Sequence, residues 1–302
     1  MVDRIVDNPA SRYPARVELQ GWVSNMRESI DLREAINAVS DVVMNRPRPI
    51  RVFDQIYMKT GDMVLQSEFI ASWADGRRLA FIGDGDAISV CAAYLQKRGV
   101  VEYGPSRITV FDFDERIVGA VNRFADKERL ENLDAVLYNC IDAFPADALG
   151  KYDMFYTNPP WGQHNAGTSV NVFAQRGMEA IGYNGQGMIV IADDTEEWAK
   201  GVLGNVQGFA QKNGFIVSRM MPRMHQYHLP DAPDLRSCNL CIASLADGPR
   251  PTGSAAITDK ERLANFYGKD QSPRVRYVKE KKRLDYGMAH DDEFEFEFMD
   301  PK

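Results

Sequence analysis

RRLAFIGDGDAISVCAAYL, residues 77–95, carries a short apolar run, a glycine-rich turn with two aspartates, and then a helical pattern. Leu79 to Ile82 has the length of a buried parallel strand, and Ile88, Ala92 and Leu95 recur at helical spacing. The turn therefore joins a strand to a helix. Gly83 and Gly85 let the backbone approach a ligand closely, and the first amides of the helix point toward the same place. A nucleotide-like cofactor fits this turn, although an ordinary strand-helix junction has the same appearance. The neighbouring stretches decide between the two.

Downstream the pattern repeats. Arg107 to Phe111 reads as a second strand ending in Asp112-Phe113-Asp114-Glu115, and Ile117 to Arg129 continues as a helix. The separation between the glycine turn and Asp112 suits a nucleoside-binding turn paired with an acid that accepts hydrogen bonds from a ribose. Ala135 to Asn139 is a third strand with Asp142 just beyond it, and Met154 to Thr157 is a fourth, running into Asn158-Pro159-Pro160-Trp161-Gly162. A helix ends over Met178 to Ile181, a fifth strand, Gly187 to Ala192, finishes at Asp193-Asp194, and Val202 to Lys212 is helical. Phe215 to Met220 and Asn239 to Ser244 are the last strands. This alternation predicts an α/β fold, a Rossmann-like doubly wound sheet with its ligand at the carboxyl edge of the strands.

Three units are expected. Residues 1–50 read as a small N-terminal domain, with a strand over Val17 to Val23, an amphipathic helix over Ser29 to Met44, and a linker at Asn45 to Pro49. A cap on the larger domain is the simpler reading of that unit, ahead of partner or DNA binding. Residues 51–247 form the Rossmann-like catalytic domain. Near its start, Phe53-Asp54-Gln55-Ile56-Tyr57 precedes a helix over Asp62 to Trp73 and either lines a pocket or holds a turn. Residues 248–302 change texture: Gly248 to Gly253 is rich in proline and glycine, Arg274 to Arg283 is basic, and Asp291 to Asp300 is acidic. This predicts a C-terminal extension that is partly mobile or folded over a neighbour, with Phe294, Phe296 and Phe298 on one face of a strand.

Bulk composition narrows the function classes. The 302 residues are 44% hydrophobic and 26% charged, as in an ordinary soluble globular protein. No apolar run approaches the roughly 20 residues of a membrane helix, and the N-terminus lacks the pattern of a signal peptide. A cytoplasmic location without membrane contact is expected. The four cysteines, Cys91, Cys140, Cys238 and Cys241, are too few for a disulfide scaffold. A formal charge of −7 tells against a protein that grips many phosphates and favours a cationic substrate. A homodimer is compatible with the sequence, but no exposed apolar stripe demands one.

The order of glycine turn, strand-end acid, Asp142 and Asn-Pro-Pro-Trp resembles the class I S-adenosylmethionine-dependent transferases over about Leu79 to Leu245. That resemblance implies that Gly83 to Gly85 approach the cofactor, that Asp112 binds the ribose hydroxyls, and that Asp142 contacts the adenine amino group. A narrower resemblance covers more of the chain. Phe53-Asp54-Gln55, followed by Gly83-Asp84-Gly85-Asp86-Ala87-Ile88-Ser89, is similar to the branched-chain polyamine synthases. The activity this implies is transfer of aminopropyl groups from decarboxylated S-adenosylmethionine to a polyamine nitrogen. Physical chemistry agrees: without its carboxylate, the donor's terminal ammonium lacks an internal counter-charge, which Asp84 and Asp86 can supply. Helix capping by the same two aspartates is the plainer alternative.

The chain departs from that family where its Pro-Pro motif carries an aspartate, since Asn158 stands there and an amide cannot act as a general base. Asn158-Pro159-Pro160-Trp161 instead resembles the motif of amino-directed methyltransferases, in which the Asn side chain and a proline carbonyl accept from a planar NH2 and the aromatic ring stacks on a base. Two further readings follow. One is an S-adenosylmethionine-dependent N-methyltransferase acting on adenine in DNA or RNA; the other is a non-catalytic nucleoside-binding relative. Under the aminopropyl reading, Asp193 and Asp194 are the expected groups to orient or deprotonate the acceptor. Trp161, Glu196, Asp231 and His228 are expected to line the polyamine site, with Glu197 nearby.

His225, His228, Cys238 and Cys241 form an H-x-x-H and a C-x-x-C, so a metal has to be weighed. Cysteines three apart on a strand project to opposite faces, which suits a metal poorly, and none is expected. His225, Tyr227 and His228 read instead as part of a loop closing over the pocket.

Overall fold

The computed structural model describes residues 30–230, 232–282 and 294–300. In chain order the elements are α1 (Leu32–Asn45), a 3-10 turn (Arg51–Phe53), α2 (Thr60–Trp73), β1 (Arg78–Ile82), α3 (Ile88–Lys97), β2 (Arg107–Asp112), α4 (Glu115–Glu128) and β3 (Leu133–Leu137). They continue with β4 (Met154–Thr157), α5 (Thr168–Ala180), β5 (Gln186–Ala192), α6 (Glu197–Lys212), β6 (Phe215–Gln226) and β7 (Arg236–Ser244). A short α7 (Lys260–Leu263) and strands β8 (Val275–Glu280) and β9 (Phe294–Phe298) complete the list.

The main sheet has seven strands in the order β3-β2-β1-β4-β5-β7-β6. Strands β1 to β5 are parallel, and β7 runs antiparallel between β5 and β6. The expected doubly wound sheet is therefore present, with one departure at its far edge. Helices cover both faces, so the central strands β1, β4 and β5 are apolar on both sides and almost wholly buried. The order reverses between β1 and β4, where the outgoing loops diverge and open a crevice. Tight packing brings α5 onto the sheet beneath it. Phe155 of β4 fills the space where side-chain carbons on Gly177 and Gly187 would each approach its ring to 2.2 Å.

The described part of the expected N-terminal domain is not a separate unit. Asp31 caps α1 by accepting from the amides of Arg33 and Glu34, and the helix buries Ala35, Ala38, Val39 and Val42 in the same core as α2, α3 and β1. The reason is coverage: the apolar face of α1 is the outer lid on α2 and α3. The strand expected over Val17 to Val23 lies outside the described residues.

The described part of the C-terminal extension is folded over its neighbours. Ile257, Phe266, Tyr267, Val275 and Val278 join the core on the other side of the sheet, and the Val278 amide donates to the Phe113 carbonyl at 3.1 Å. Arg176 of α5, fully buried, anchors the segment by donating to the Ser254 hydroxyl at 2.8 Å and the Ala255 carbonyl at 2.9 Å. Phe294, Phe296 and Phe298 alternate along β9 with outward-facing glutamates, and Phe296 packs edge-on against Phe53 at 5.5 Å.

Candidate active site

A cleft of about 840 Å³, its open mouth included, lies at the carboxyl ends of β1, β2 and β4. Its wall joins the glycine turn, Asp112, Asn158-Pro159-Pro160-Trp161 and the stretch Phe53-Asp54-Gln55-Ile56-Tyr57. Gly83 has φ +74°, a conformation that glycine adopts freely, and a side-chain carbon there would touch the Phe173 ring at 3.4 Å. At Gly85 such a carbon would meet Tyr57 at 3.3 Å. Both glycines line the cleft, and their lack of a side chain leaves room for Phe173 and Tyr57 to close on the turn.

The two aspartates of the turn have different surroundings. Asp84 accepts from the amides of Ile88 at 2.9 Å and Ser89 at 3.1 Å and from the Ser89 hydroxyl, which fastens its carboxylate to the start of α3. Burial raises its proton affinity well above the ordinary carboxylate range, against those same hydrogen bonds. Asp86 turns instead to the cleft. It accepts from the Met58 amide at 2.7 Å and from the Asn158 amide nitrogen at 2.6 Å. Burial raises its pKa as well, opposed by the positive charge of Arg46, by those two hydrogen bonds, and by His228. Both line the cleft, but of the pair only Asp86 bonds across it to Asn158.

Arg46 was hidden in the presumed linker. Its guanidinium donates to the Asp86 backbone carbonyl at 3.0 Å and lies 4.2 Å above the Tyr57 ring, which separates it from the cleft. Tyr57 is fixed in turn by donating to the Pro47 carbonyl at 2.8 Å. Asp54, on the rim, is pushed up to about 6 by burial.

Asp112 ends β2 and faces the cleft, accepting from the amides of Asp84 at 3.0 Å and Asp114 at 2.9 Å. Burial, with the Asp114 charge beside it, pushes its pKa up to about 7. Beyond it, the buried Asp114 and Arg116 form an ion pair of 2.6 Å, with Arg116 also 4.8 Å from the Phe294 ring.

Asn158 is held from two sides. Its amide nitrogen faces the Asp86 carboxylate and lies 3.5 Å from the Tyr227 hydroxyl, which leaves Oδ1 as its accepting atom. Tyr227 meets the Ser237 hydroxyl at 2.9 Å, and Ser237 meets His225 Nδ1 at 2.9 Å. Trp161 packs edge-on against Tyr227, ring centroids 5.0 Å apart.

Several expected site residues lie elsewhere. Asp142 does not line the cleft; its carboxylate, 41% exposed, pairs at 3.8 Å with Arg276, because Tyr138 takes its backbone carbonyl and turns the loop outward. Asp193 and Asp194 follow β5, one strand away from Asn158, and are also outside the wall. Asp193 accepts from the Arg223 amide of β6 at 2.6 Å, and Asp194 accepts from the Thr195 amide at 2.6 Å, so the first ties the β5 end to a distant strand and the second holds its own turn. Glu196 is exposed and precedes α6. Asp231 lies outside the described residues. His228 is exposed, its amide bonded to the Tyr57 carbonyl at 2.9 Å, near enough to influence Asp86.

The H-x-x-H and C-x-x-C do not converge. Cys238 and Cys241 are buried in the cores on opposite faces of the sheet, and both ring nitrogens of His225 are engaged, Nε2 with Gln66 at 2.8 Å. Burial lowers the His225 pKa to about 3, so it is a neutral interior residue of β6, contrary to the expected loop. Among the described residues no group of three or more metal-ligating side chains gathers.

Sequence reading missed Tyr138, Phe173 and Tyr267 as cleft residues. Tyr267 has no local motif; it arrives through a chain return of more than a hundred residues. For Arg46 the available signal was an arginine between Asn45 and Pro47 just past the helix, which is ambiguous alone.

Residues 34–298 match the family described as branched-chain polyamine synthase A C-terminal domain. Among curated proteins, the chain is 28% identical over 150 residues to N(4)-bis(aminopropyl)spermidine synthase of Thermococcus kodakarensis, covering 49% of this chain and 40% of that one. It is 23% identical over 197 residues to an uncharacterised protein of Methanocaldococcus jannaschii, covering 64% of this chain and 46% of that one. The matched part is thus less than half the length of either relative. Among solved structures, the branched-chain polyamine synthase of Thermus thermophilus, in complex with N4-aminopropylspermidine and 5′-methylthioadenosine, superposes with TM-score 0.61 and 22% identity over 75% of this chain and 69% of that chain. A protein of Pyrococcus horikoshii provisionally named an RNA methyltransferase gives TM-score 0.52 and 14% identity over 70% of this chain and 98% of that chain. These likenesses establish a Rossmann-like, class I methyltransferase-like fold.

Proposed function

The chain belongs to the branched-chain polyamine synthase A C-terminal domain family, and from that premise we propose that it is an aminopropyltransferase alkylating a polyamine nitrogen with decarboxylated S-adenosylmethionine. The observation that carries this reading is the buried Asp86 carboxylate in contact with Asn158 at the centre of the cleft. A carboxylate offers about four lone-pair sites. Met58 and Asn158 occupy two, and the remainder can receive cationic amines.

The glycine turn at Gly83 and Gly85, lining the cleft with Asp112 beside it, fits a nucleoside-bearing donor. The donor supplies a carbon activated by a sulfonium: the N–C bond forms as the C–S bond breaks, and the electron pair stays on sulfur. The attacking amine must be unprotonated. Burial raises the proton affinity of Asp86, which suits it to take the amine's proton; in its ionised form, before that transfer, the same carboxylate balances the donor's terminal ammonium. Asn158 Oδ1 would accept from the acceptor's N–H, and Pro159 and Trp161 would limit where the alkyl chain lies. Alignment then supplies much of the acceleration. In this account the exposed Glu196 serves the approach of a polycation, Asp193 and Asp194 hold backbone structure beside the cleft, and residues 51–247 carry the chemistry with the extension closing one wall.

The Asn158-Pro159-Pro160-Trp161 lining favours a second reading, methyl transfer from S-adenosylmethionine to an amino group such as that of adenine. Incubation with both donors, spermidine and an adenine-containing oligonucleotide, followed by mass spectrometry, separates them. Aminopropylated spermidine is the expected product. Methylated base would establish the alternative, and no product would indicate a nucleoside-binding protein without catalysis.

A further inference from the structure

We propose that Tyr267, carried in by the C-terminal extension, is a donor-binding residue that grips the donor's purine by stacking, and that Asp142 takes no part. This inference rests on the nucleoside-donor reading above. Tyr267 is only 7% exposed yet lines the cleft. Its ring is nearly parallel to that of Phe113, at 19° and 6.2 Å between centroids, and Phe53 packs edge-on against both, at 5.3 Å from Tyr267 and 5.1 Å from Phe113. Phe113 directly follows the ribose-binding candidate Asp112, so this aromatic surface stands where the base of a nucleoside held by Asp112 would extend.

The turn bearing Tyr267 is built to hold its position. Asn165 Nδ2 donates to the Asn265 carbonyl at 3.2 Å, and Asn265 Nδ2 donates to the His164 carbonyl at 3.2 Å. Phe266 stacks on Phe173 at 6.1 Å, and the Tyr267 amide donates to the Gln271 carbonyl at 3.1 Å. These contacts tie the purine wall to the loop following Trp161. The Asp142 carboxylate, by contrast, is outside the cleft and paired with Arg276. A rigid aromatic face supplies sequence-tolerant stacking on a base without a carboxylate at the exocyclic amine.

The test is calorimetric titration of the full chain with 5′-methylthioadenosine. Tyr267→Leu is expected to weaken binding by about tenfold or more, the loss of one stacking ring, while Tyr267→Phe and Asp142→Asn stay within about twofold. Should the Leu variant fail to fold, Tyr267→Trp retains a ring and reports directly. Its indole emission should change on nucleoside addition beyond the change that the four native tryptophans give in the unmodified protein. Undiminished binding by Tyr267→Leu, a tenfold loss in Asp142→Asn, or an unresponsive indole overturns this inference alone. Failure of the unmodified protein to bind the nucleoside overturns the donor reading, and this inference with it.

Discussion

The amide nitrogen of Asn158 lies 2.6 Å from Oδ2 of Asp86, although the two residues are 72 positions apart. Adjacent strands bring them together: Asp86 follows β1, Asn158 follows β4, and the two strands pair in the sheet. The glycine turn thus sets a carboxylate across the crevice against the Pro-Pro motif, and under the proposed reaction this carboxylate takes the part of the one the motif lacks. Asp86→Asn should therefore lower kcat/KM for polyamine alkylation by about 10²- to 10⁴-fold, the range of a lost acid-base group. Asp193→Asn and Asp194→Asn, whose carboxylates bond only the backbone amides of Arg223 and Thr195 outside the cleft wall, should stay near the unmodified value. Steady-state assay of released 5′-methylthioadenosine compares all three.

Asn158→Asp would place a second carboxylate against Asp86. Like charges this close cannot both ionise readily, so one proton is held to higher pH. The acidic limb of the pH-rate profile should move upward, together with a lower rate near neutrality. An unchanged limb would separate Asp86 from the rate-governing ionisation.

Asp112 adds a pH dependence of known sign. Its folded pKa is pushed up to about 7 by burial and by Asp114, against about 3.9 in an unfolded chain. Between these values the folded state holds more protons, so stability declines as pH rises through this window. The raised values of Asp84 and Asp86 act in the same direction. A ribose diol needs the ionised carboxylate as acceptor, so nucleoside affinity should rise with pH toward 7 and level off above it. Binding below that pH should release protons, which calorimetry in buffers of different ionisation enthalpy detects.

Most of the scaffold could be read in advance because its signals are local. The apolar runs of β1, β2, β4 and β5, the glycine turn and the strand-end Asp112 each depend on a few consecutive residues. Phe53 to Tyr57 read equally as a pocket lining, a helix cap or a turn, and the structure places the stretch in the cleft wall. What could not be read depends on where loops turn and where distant segments return. Asp142 leaves the cleft because Tyr138 takes its carbonyl, and Asp193 faces the Arg223 amide of β6. Tyr267 arrives from an extension whose composition resembles a solvated tail. Asp84 and Asp86 looked equivalent in sequence; only the Asp84 side chain reaches the first amides of α3, at Ile88 and Ser89.

The extension should be coupled to stability through Arg176. This side chain is fully buried, pairs with Glu179 at 2.7 Å, and donates to the Cys140 carbonyl at 2.7 Å beside the cleft. Arg176→Met strands the Glu179 carboxylate in the interior and should cost about 3–5 kcal/mol in denaturant unfolding. Adding Glu179→Leu should recover part of that loss, because the unpaired charge is then gone.

Donor discrimination is the most direct test of Asp86. Dissociation constants of decarboxylated S-adenosylmethionine and of S-adenosylmethionine are to be measured for the unmodified protein and for Asp86→Asn. The unmodified protein should prefer the decarboxylated donor, and the substitution should abolish most of that preference by weakening this ligand selectively. Equal losses for both ligands, or a preference that survives intact, would contradict the role assigned to the Asp86 carboxylate.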